Sequence, residues 1–502
     1  LDFVRLCNPP GVGNVAAAAG GEIVNAPTPS FKIFAKHDCP TCVLVQPVLR
    51  ALEAAGVVLT VYMQDETGFP EGVNGVVADT GLEQSWRHHI ETVPTLIRVE
   101  AGSEVARTVG WDRVEWERIT GVASLGTGLS DFQPGCGSKS VDPGMAEVLE
   151  VRFGAPSLVA RRLDVQFPED EQEVCYARGW SDGLPVVPPT PERVLRMLAG
   201  TTRDPGEVIG KVPPDYGVCT VEKSAINAVM AGCKPEYLPV VLAAVEAVLE
   251  PAFAVHGLLC TTYFSAPIVI VNGPITRRIG MNCGVNALGQ GNRANATIGR
   301  ALQLIVRNVG GGVPGGIDRA TLGTPGKYTF CFAEDESDEG WEPLSVERGF
   351  APGTSTVTVF GGGGVIPNRD EASRTGESLA RSFALTLNTV GHPRQVGTFD
   401  ALVVLSPEHY AIFAESGWDR ARIKKELRAA TIRSGAELMA GAGGVAVGVS
   451  PDKSGGRYEK FRDGGLQIVR AGGEAGLMSA IIGGWAASGA RGTAPVSKEV
   501  GT

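Results

Sequence analysis

Basic residues, cysteines and unbroken apolar runs are all scarce in this chain, and each scarcity excludes something. Lys and Arg number 45 against 55 Asp and Glu, giving a formal charge of -10 over 502 residues. Phosphate contacts need a basic face, so no nucleic-acid partner is expected. Ten cysteines in 502 residues are far fewer than a disulfide scaffold uses; most thiols should be reduced, with oxidation confined to a reactive pair. The most apolar long stretch, Leu238 to Cys260, is interrupted by Glu246, Glu250, Pro251 and His256. It reads as a buried helix plus a strand, and no membrane partner is expected. The amino end, LDFVRLCNPPGVGNVAAAAGGEIV, lacks a basic leader followed by an unbroken apolar core. It does not read as a signal peptide, so a cytoplasmic location is the default expectation.

What is present is an ordinary globular composition, 43% hydrophobic and 20% charged. At roughly 150 residues per domain the length suggests about three packing units, all of α/β class. The front carries the clearest chemistry. SFKIFAK reads as a short strand, Cys39 and Cys42 follow it directly, and VLVQPVLRALEAAG has helical apolar spacing that stops at Gly56. A dithiol at such a helix start faces unpaired backbone N–H groups, which favour thiolate at the first cysteine. Cys39 is then the nucleophile and Cys42 the resolving thiol. VVLTVYMQ reads as a second strand, and ETVPTLIRVEAGSEVARTVG as two strands turning at Ala101-Gly102.

That order of strand, CxxC helix, strand, helix, Pro-led hairpin and final helix resembles the thioredoxin family over about residues 28–122. The resemblance rests on Cys39, Cys42, Val93-Pro94-Thr95 and Gly110. It implies a cis proline at Pro94, whose backbone docks an extended substrate segment against the sulfur. The chain departs from the family pattern at Asp38, where Trp is usual, and at Ile33, where classical thioredoxins bury an acid; a dedicated role is expected over a general one. A CxxC is also half of a zinc site, but there is no second CxxC or CxxH, and His88-His89 offer no obvious ligand geometry. No metal is assigned, and no cofactor is named.

Residues 1–27 read as an amino-terminal tail and 123–165 as an exposed linker rich in Gly, Ser and Pro. Cys136 sits in that linker between Gly135 and Gly137. It is either a third relay thiol for the dithiol or an inert linker cysteine.

Residues 166–502 read as a large α/β domain with a helical subdomain at about 186–255. Val-rich strands in APIVIVNGP, TSTVTVFGGGG, DALVVLSPEH and GLQIVRAGGEAG end in Gly-, Pro- or Ser-rich loops. IGRALQLIVRNVG (298–310) lines up with LARSFALTLNTVG (379–391), which raises an internal duplication against chance similarity of two amphipathic helices. In GQGNRANATIGR, Asn292, Arg293 and Asn295 stand at a helix start where an anion would be held. Gly361, Gly362 and Gly363 are expected to form a similar nest. Glu408 and His409 are candidates for a general base or metal ligand at a strand end. Cys283, in GMNCGVNALGQGN, is the candidate second reactive sulfur, and the acids of CFAEDESDEGWEPL read as a solvated loop. SDGLPVVPPT with RANATIGRA resembles a bacterial family of uncharacterised proteins, which brings no reaction with it.

Together these readings give a thiol–disulfide oxidoreductase domain serving a fused catalytic domain. That domain is expected to act on a small, anionic substrate by thiol-dependent redox or carbon–heteroatom bond-cleaving chemistry. The alternative is a protein that binds a soft metal or metalloid through the CxxC thiols. A homodimer is the base-rate expectation.

Overall fold

The chain leaves its larger unit early and returns to it. The computed structural model describes residues 2–6, 29–66, 68–165, 169–485 and 493–501. One unit is Asn8–Ser157; the other joins Leu1–Cys7 to Leu158–Thr502. In the latter, β1 (Asp2–Leu6) runs parallel to β11 (Arg161–Val165). Residues 2–6 of the expected tail are therefore a strand, and residues 7–28 lie outside the described residues.

In the Asn8–Ser157 unit, SFKIFA forms β2 (Ser30–Ala35) and buries Phe31, Ile33, Phe34 and Ala35. With β3 (Val58–Met63), β4 (Val76–Ala78), β6 (Thr95–Glu100) and β7 (Ser103–Val109) it makes a five-stranded sheet in the order β4-β3-β2-β6-β7. The first three are parallel, and β6 and β7 each reverse direction. Parallel neighbours need a crossover, supplied between β2 and β3 by α1 (Pro40–Leu44) and α2 (Gln46–Ala54). The single helix expected after the CxxC is split because Pro47 has no N–H to continue the ladder. On α2, Val48, Leu49 and Leu52 are fully buried, each contributing about 1.5–3 kcal/mol of apolar transfer. Beyond α3 (Glu83–Arg87), the two-residue β5 (Thr92–Val93) leads into β6, and α4 (Arg113–Thr120) closes the order that the thioredoxin resemblance implies.

The expected linker is a correction. β8 (Trp111–Asp112) pairs with β9 (Phe132–Gln133), and β5 pairs antiparallel with β10 (Cys136–Gly137). Trp111 donates to the Ser130 carbonyl at 2.6 Å, Arg113 to that of Leu129 at 2.6 Å, and the Ser138 N–H to Glu91 at 2.9 Å. Residues up to Val141 are thus tied down as a strap on this unit, which ends at Ser157. Gly and Pro serve close backbone approach here, not freedom.

The larger unit holds two hairpin-like pairs, β12 (Val208–Val212) with β13 (Gly217–Thr220) and β18 (Arg433–Ser434) with β19 (Arg457–Tyr458). Its main sheet contains β14 (Ala266–Asn272), β15 (Cys331–Ala333), β16 (Thr356–Arg369), β17 (Phe399–Leu405), β20 (Phe461–Arg470) and β21 (Met478–Trp485), in the order β15-β14-β16-β21-β17-β20, with β22 (Val496–Glu499) on β16. β14 is apolar almost throughout because both faces are covered. Val269 and Val271 pack among residues of the helices Val221–Ala231, Leu238–Leu249 and Arg293–Asn308. Ile268 and Ile270 pack with Phe332, Leu402, Val404, Val469 and Ile482.

The sheet order reads the same from either edge. An outer strand lies parallel to its neighbour, that neighbour lies antiparallel to an inner strand, and the inner strands β16 and β21 pair antiparallel. The two helices that line up in sequence do not occupy equivalent places in that order. The Arg293–Asn308 helix connects adjacent β14 and β15, whereas Gly376–Leu387 connects β16 to β17 across the intervening β21. The two helices also bury into different cores. Among the described residues no helix is long and apolar enough to cross a membrane.

Candidate active site

Cys39 is the N-cap of α1, and its sulfur accepts the Cys42 N–H at 3.3 Å. Pro40 at the first helical position needs no N–H partner there, so the turn that brings the two cysteines together is locally favoured. Hydrogen bonding from the Cys42 thiol, then from the Cys136 thiol and the amides of Cys42 and Thr41, outweighs burial and holds Cys39 down at about 5. Burial, reinforced by the neighbouring Cys39, pushes Cys42 far up. At neutral pH the first sulfur is a thiolate and the second a thiol.

The third sulfur is Cys136. Its strand pairs Cys136 with Val93 and Gly137 with Thr92, directly before Pro94. The Val93-Pro94 peptide is cis, as the resemblance implies, and Cys39 Sγ lies 3.6 Å from the Val93 carbonyl oxygen. The sulfurs of Cys39 and Cys136 are 2.8 Å apart. Burial, then the hydrogen bond to Cys39, raises Cys136, so its S–H is the donor and Cys39 the acceptor.

Several contacts fix the strap at this distance. The Thr41 hydroxyl donates to the Pro134 carbonyl at 2.6 Å. A Cβ on Gly135 would fall 2.8 Å from the Val93 oxygen and 2.4 Å from Thr92 Cγ2, and one on Gly110 would fall 2.8 Å from the Gly135 nitrogen. Both glycines are therefore required by close approach. Gln64, which the sequence reading passed over, is buried and holds the strap's far end: it donates to the Ser138 hydroxyl at 2.7 Å and accepts the Lys139 N–H at 3.0 Å. Nothing in VVLTVYMQ marks it, because its partner lies 74 residues downstream.

The site residues expected in the larger unit fare differently. Asn292 caps its helix by accepting the Asn295 N–H at 3.0 Å and donates to Gly280, while Arg293 donates to the Gly232 carbonyl at 2.9 Å. Asn295 is buried and satisfied by Asn282 and Ala287. Gly361 and Gly362 are not a nest: they lie inside β16, opposite Pro267 and Ala266, where a Cβ on Gly362 would meet Ile268 Cδ1 at 2.4 Å. Gly363 sits at the register shift and, together with Asn295, borders a cavity of about 460 Å³ that Gly289, Thr329 and Cys331 also line.

His409 is fully buried, its ring nitrogens 2.8 Å from the Ser479 hydroxyl and 3.2 Å from the Asp370 carbonyl, and burial lowers its pKa. Glu408 accepts the Leu477 N–H at 2.8 Å. Both residues organise the fold. Burial, then Asp335, raises the Cys283 thiol, the reverse of an activated nucleophile. Glu334, expected in a solvated loop, is buried among Asn272, Trp341 and the Leu344 N–H. Among the described residues no hydrogen bond joins Cys283, the Glu408-His409 pair and Asn292 to Asn295 into one site, and no group of three or more His, Cys, Asp or Glu side chains is placed to hold a metal ion.

A further cavity of this unit, about 480 Å³, was not anticipated. Its walls include Ser265, Gln303, Arg307, Asp318 and Lys327. Lys327 pairs with Asp318 at 2.8 Å, and the buried Ser265 hydroxyl has no partner.

No known protein family matches the chain, and no curated protein does. Among solved structures, the crystal structure of StoA from Bacillus subtilis is similar at 19% identity, over 17% of this chain and 76% of that one, with a TM-score of 0.14. The Asn8–Ser157 unit has the strand order, the cis Val93-Pro94 peptide and the N-cap dithiol that the thioredoxin resemblance implies.

Proposed function

We propose that the Asn8–Ser157 unit is a thiol–disulfide oxidoreductase with Cys39 as nucleophile and Cys42 as resolving thiol. The observation that carries this reading is the dithiol at the start of α1, where Cys39 Sγ accepts the Cys42 N–H at 3.3 Å beside the cis Val93-Pro94 peptide, an arrangement that lowers Cys39 and leaves Cys42 raised. Exchange runs by thiolate attack on a disulfide, after which the second thiol attacks the mixed disulfide and closes the internal bond. A low-pKa attacking sulfur and a buried resolving sulfur suit those two steps in that order.

For the larger unit we propose binding of a small anionic molecule in the 480 Å³ cavity. Among the described residues Arg307 is the cation there that is not in a salt bridge, Lys327 being neutralised by Asp318 and Asp182 by Arg300, and the Ser265 hydroxyl is left to hydrogen-bond.

The test is direct. Reduced protein mixed with oxidised glutathione should release two glutathione thiols per chain and acquire a Cys39–Cys42 bond, located by peptide mass mapping. Cys39→Ser should abolish that bond. Protein that leaves oxidised glutathione untouched would remove the oxidoreductase reading.

A further inference from the structure

The sulfur closest to solvent in this site is not the nucleophile. Cys39 and Cys42 have no exposed surface, whereas Cys136 is half-buried between the exposed residues Pro134 and Gly137. The chain itself covers Cys39: Pro134 is hydrogen-bonded to Thr41, and Cys136 is paired with Val93. The strand edge at Thr92-Val93, where an extended peptide would add as a further strand, is already taken by Cys136-Gly137. What arrives from solvent therefore meets Cys136 first, and must be small enough to do so without displacing the strap.

Resting on the oxidoreductase reading above, we propose that Cys136 is the sulfur that exchanges with external substrate, a small-molecule disulfide, and that Cys39 and Cys42 stand behind it as a buried reducing pair. As Cys136 attacks the disulfide R–S–S–R, the Cys39 thiolate takes its proton across the 2.8 Å contact, acting as general base, so that no free Cys136 thiolate forms beforehand. A Cys136–S–S–R bond forms, one thiolate leaves, and that proton passes on to it. The restored Cys39 thiolate then attacks Cys136 Sγ; the bond to R breaks, the second thiolate leaves, and Cys39–Cys136 forms. Cys42 delivers its proton to that thiolate and attacks Cys39 Sγ, so Cys39–Cys42 forms and Cys136 is released as a thiolate that takes a proton from water. Two electrons pass from the Cys39–Cys42 pair to the substrate, and Cys136 returns unchanged.

The geometry favours this order over direct attack by Cys39. Tying the third thiol to the same unit makes its exchange with Cys39 intramolecular, at high effective concentration. The glycines at 110 and 135 admit the strap to that distance and would not be needed for a loose connector.

Oxidised glutathione is the probe, with reactions quenched by acid and mapped by mass spectrometry. In Cys39→Ser, which removes the base as well as the second attacking sulfur, glutathione should add to Cys136 slowly and stay there. In Cys42→Ser, the Cys39–Cys136 disulfide should accumulate. In Cys136→Ser, closure of Cys39–Cys42 should slow by about tenfold or more, the order expected when an intramolecular thiol is removed. Glutathione held on Cys39 with Cys136 free in Cys42→Ser, or an unchanged closure rate in Cys136→Ser, would overturn the relay while leaving the oxidoreductase reading intact. If the wild-type Cys39–Cys42 bond never forms, both fail together.

Discussion

Two glycine-rich stretches look alike in the sequence and behave differently in the fold. QPGCGSKS and GQGNRANA each place polar side chains among glycines, and each was read as a ligand-facing loop or a connector. In the second, Asn292, Arg293 and Asn295 find partners within the larger unit's own loops and helix ends. In the first, the glycines let a strand approach a distant element until Cys136 touches Cys39. Glycine reports that backbone comes close. It does not report what the backbone comes close to, and that second fact decides function.

The comparison can be broken at several points. The largest effect is expected from Cys39→Ser, which should reduce the rate of internal disulfide formation to background, whereas Arg293→Ala should leave that rate unchanged; equal losses in the two variants would erase the distinction. Next, Gly135→Val pushes a side chain into Thr92 and the Val93 carbonyl and should lift the strap. Alkylation of Cys39 by iodoacetamide, followed by mass mapping, should then rise by about tenfold, as expected when a buried thiolate gains access. No change would mean that the strap does not shield it. A smaller effect is expected in the other stretch. Asn295→Ala removes a buried side chain with three partners and should lower unfolding free energy by about 1–3 kcal/mol, with disulfide exchange unaltered. Denaturant unfolding and the glutathione assay on the same sample would check both parts.

Much of the Asn8–Ser157 unit was legible because its signals are local. An alternating strand, a CxxC with Pro at the helix start and a Val-Pro-Thr segment each act within a few residues, and Pro94 and the dithiol lie where the thioredoxin resemblance places them. The strap was not legible as structure. Its partners, Trp111, Val93 and Gln64, lie up to 74 residues away, and a Gly- and Pro-rich composition is shared by connectors and tight strands. In the larger unit many helix and strand positions followed apolar periodicity, but Val255–Cys260, expected as a strand, is a helix. The palindromic strand order depends on pairings such as Gly362 with Gly484, for which local pattern carries no information. His409 shows the same limit: a Glu-His pair after a strand looks chemical until Ser479 and Asp370 are seen to occupy both ring nitrogens.

The thiolate at Cys39 also ties stability to pH. Its pKa falls from an ordinary 9.0 to about 5 on folding, so between those values the unfolded chain binds the extra proton and stability rises with pH. The contribution is fully present above pH 9 and is lost as pH falls through about 5. Reduced wild type should accordingly lose stability between pH 8 and pH 5 relative to Cys39→Ser, in parallel denaturant titrations at those two values.

The most direct test of the central claim is a titration of thiolate ultraviolet absorbance in the reduced protein, taken as wild type minus Cys39→Ser. The account predicts a difference signal with a midpoint near pH 5. A difference that develops only near pH 9, the ordinary thiol range, would contradict it: Cys39 would then be no readier to attack than any buried cysteine, and the contact with Cys136 would be packing alone.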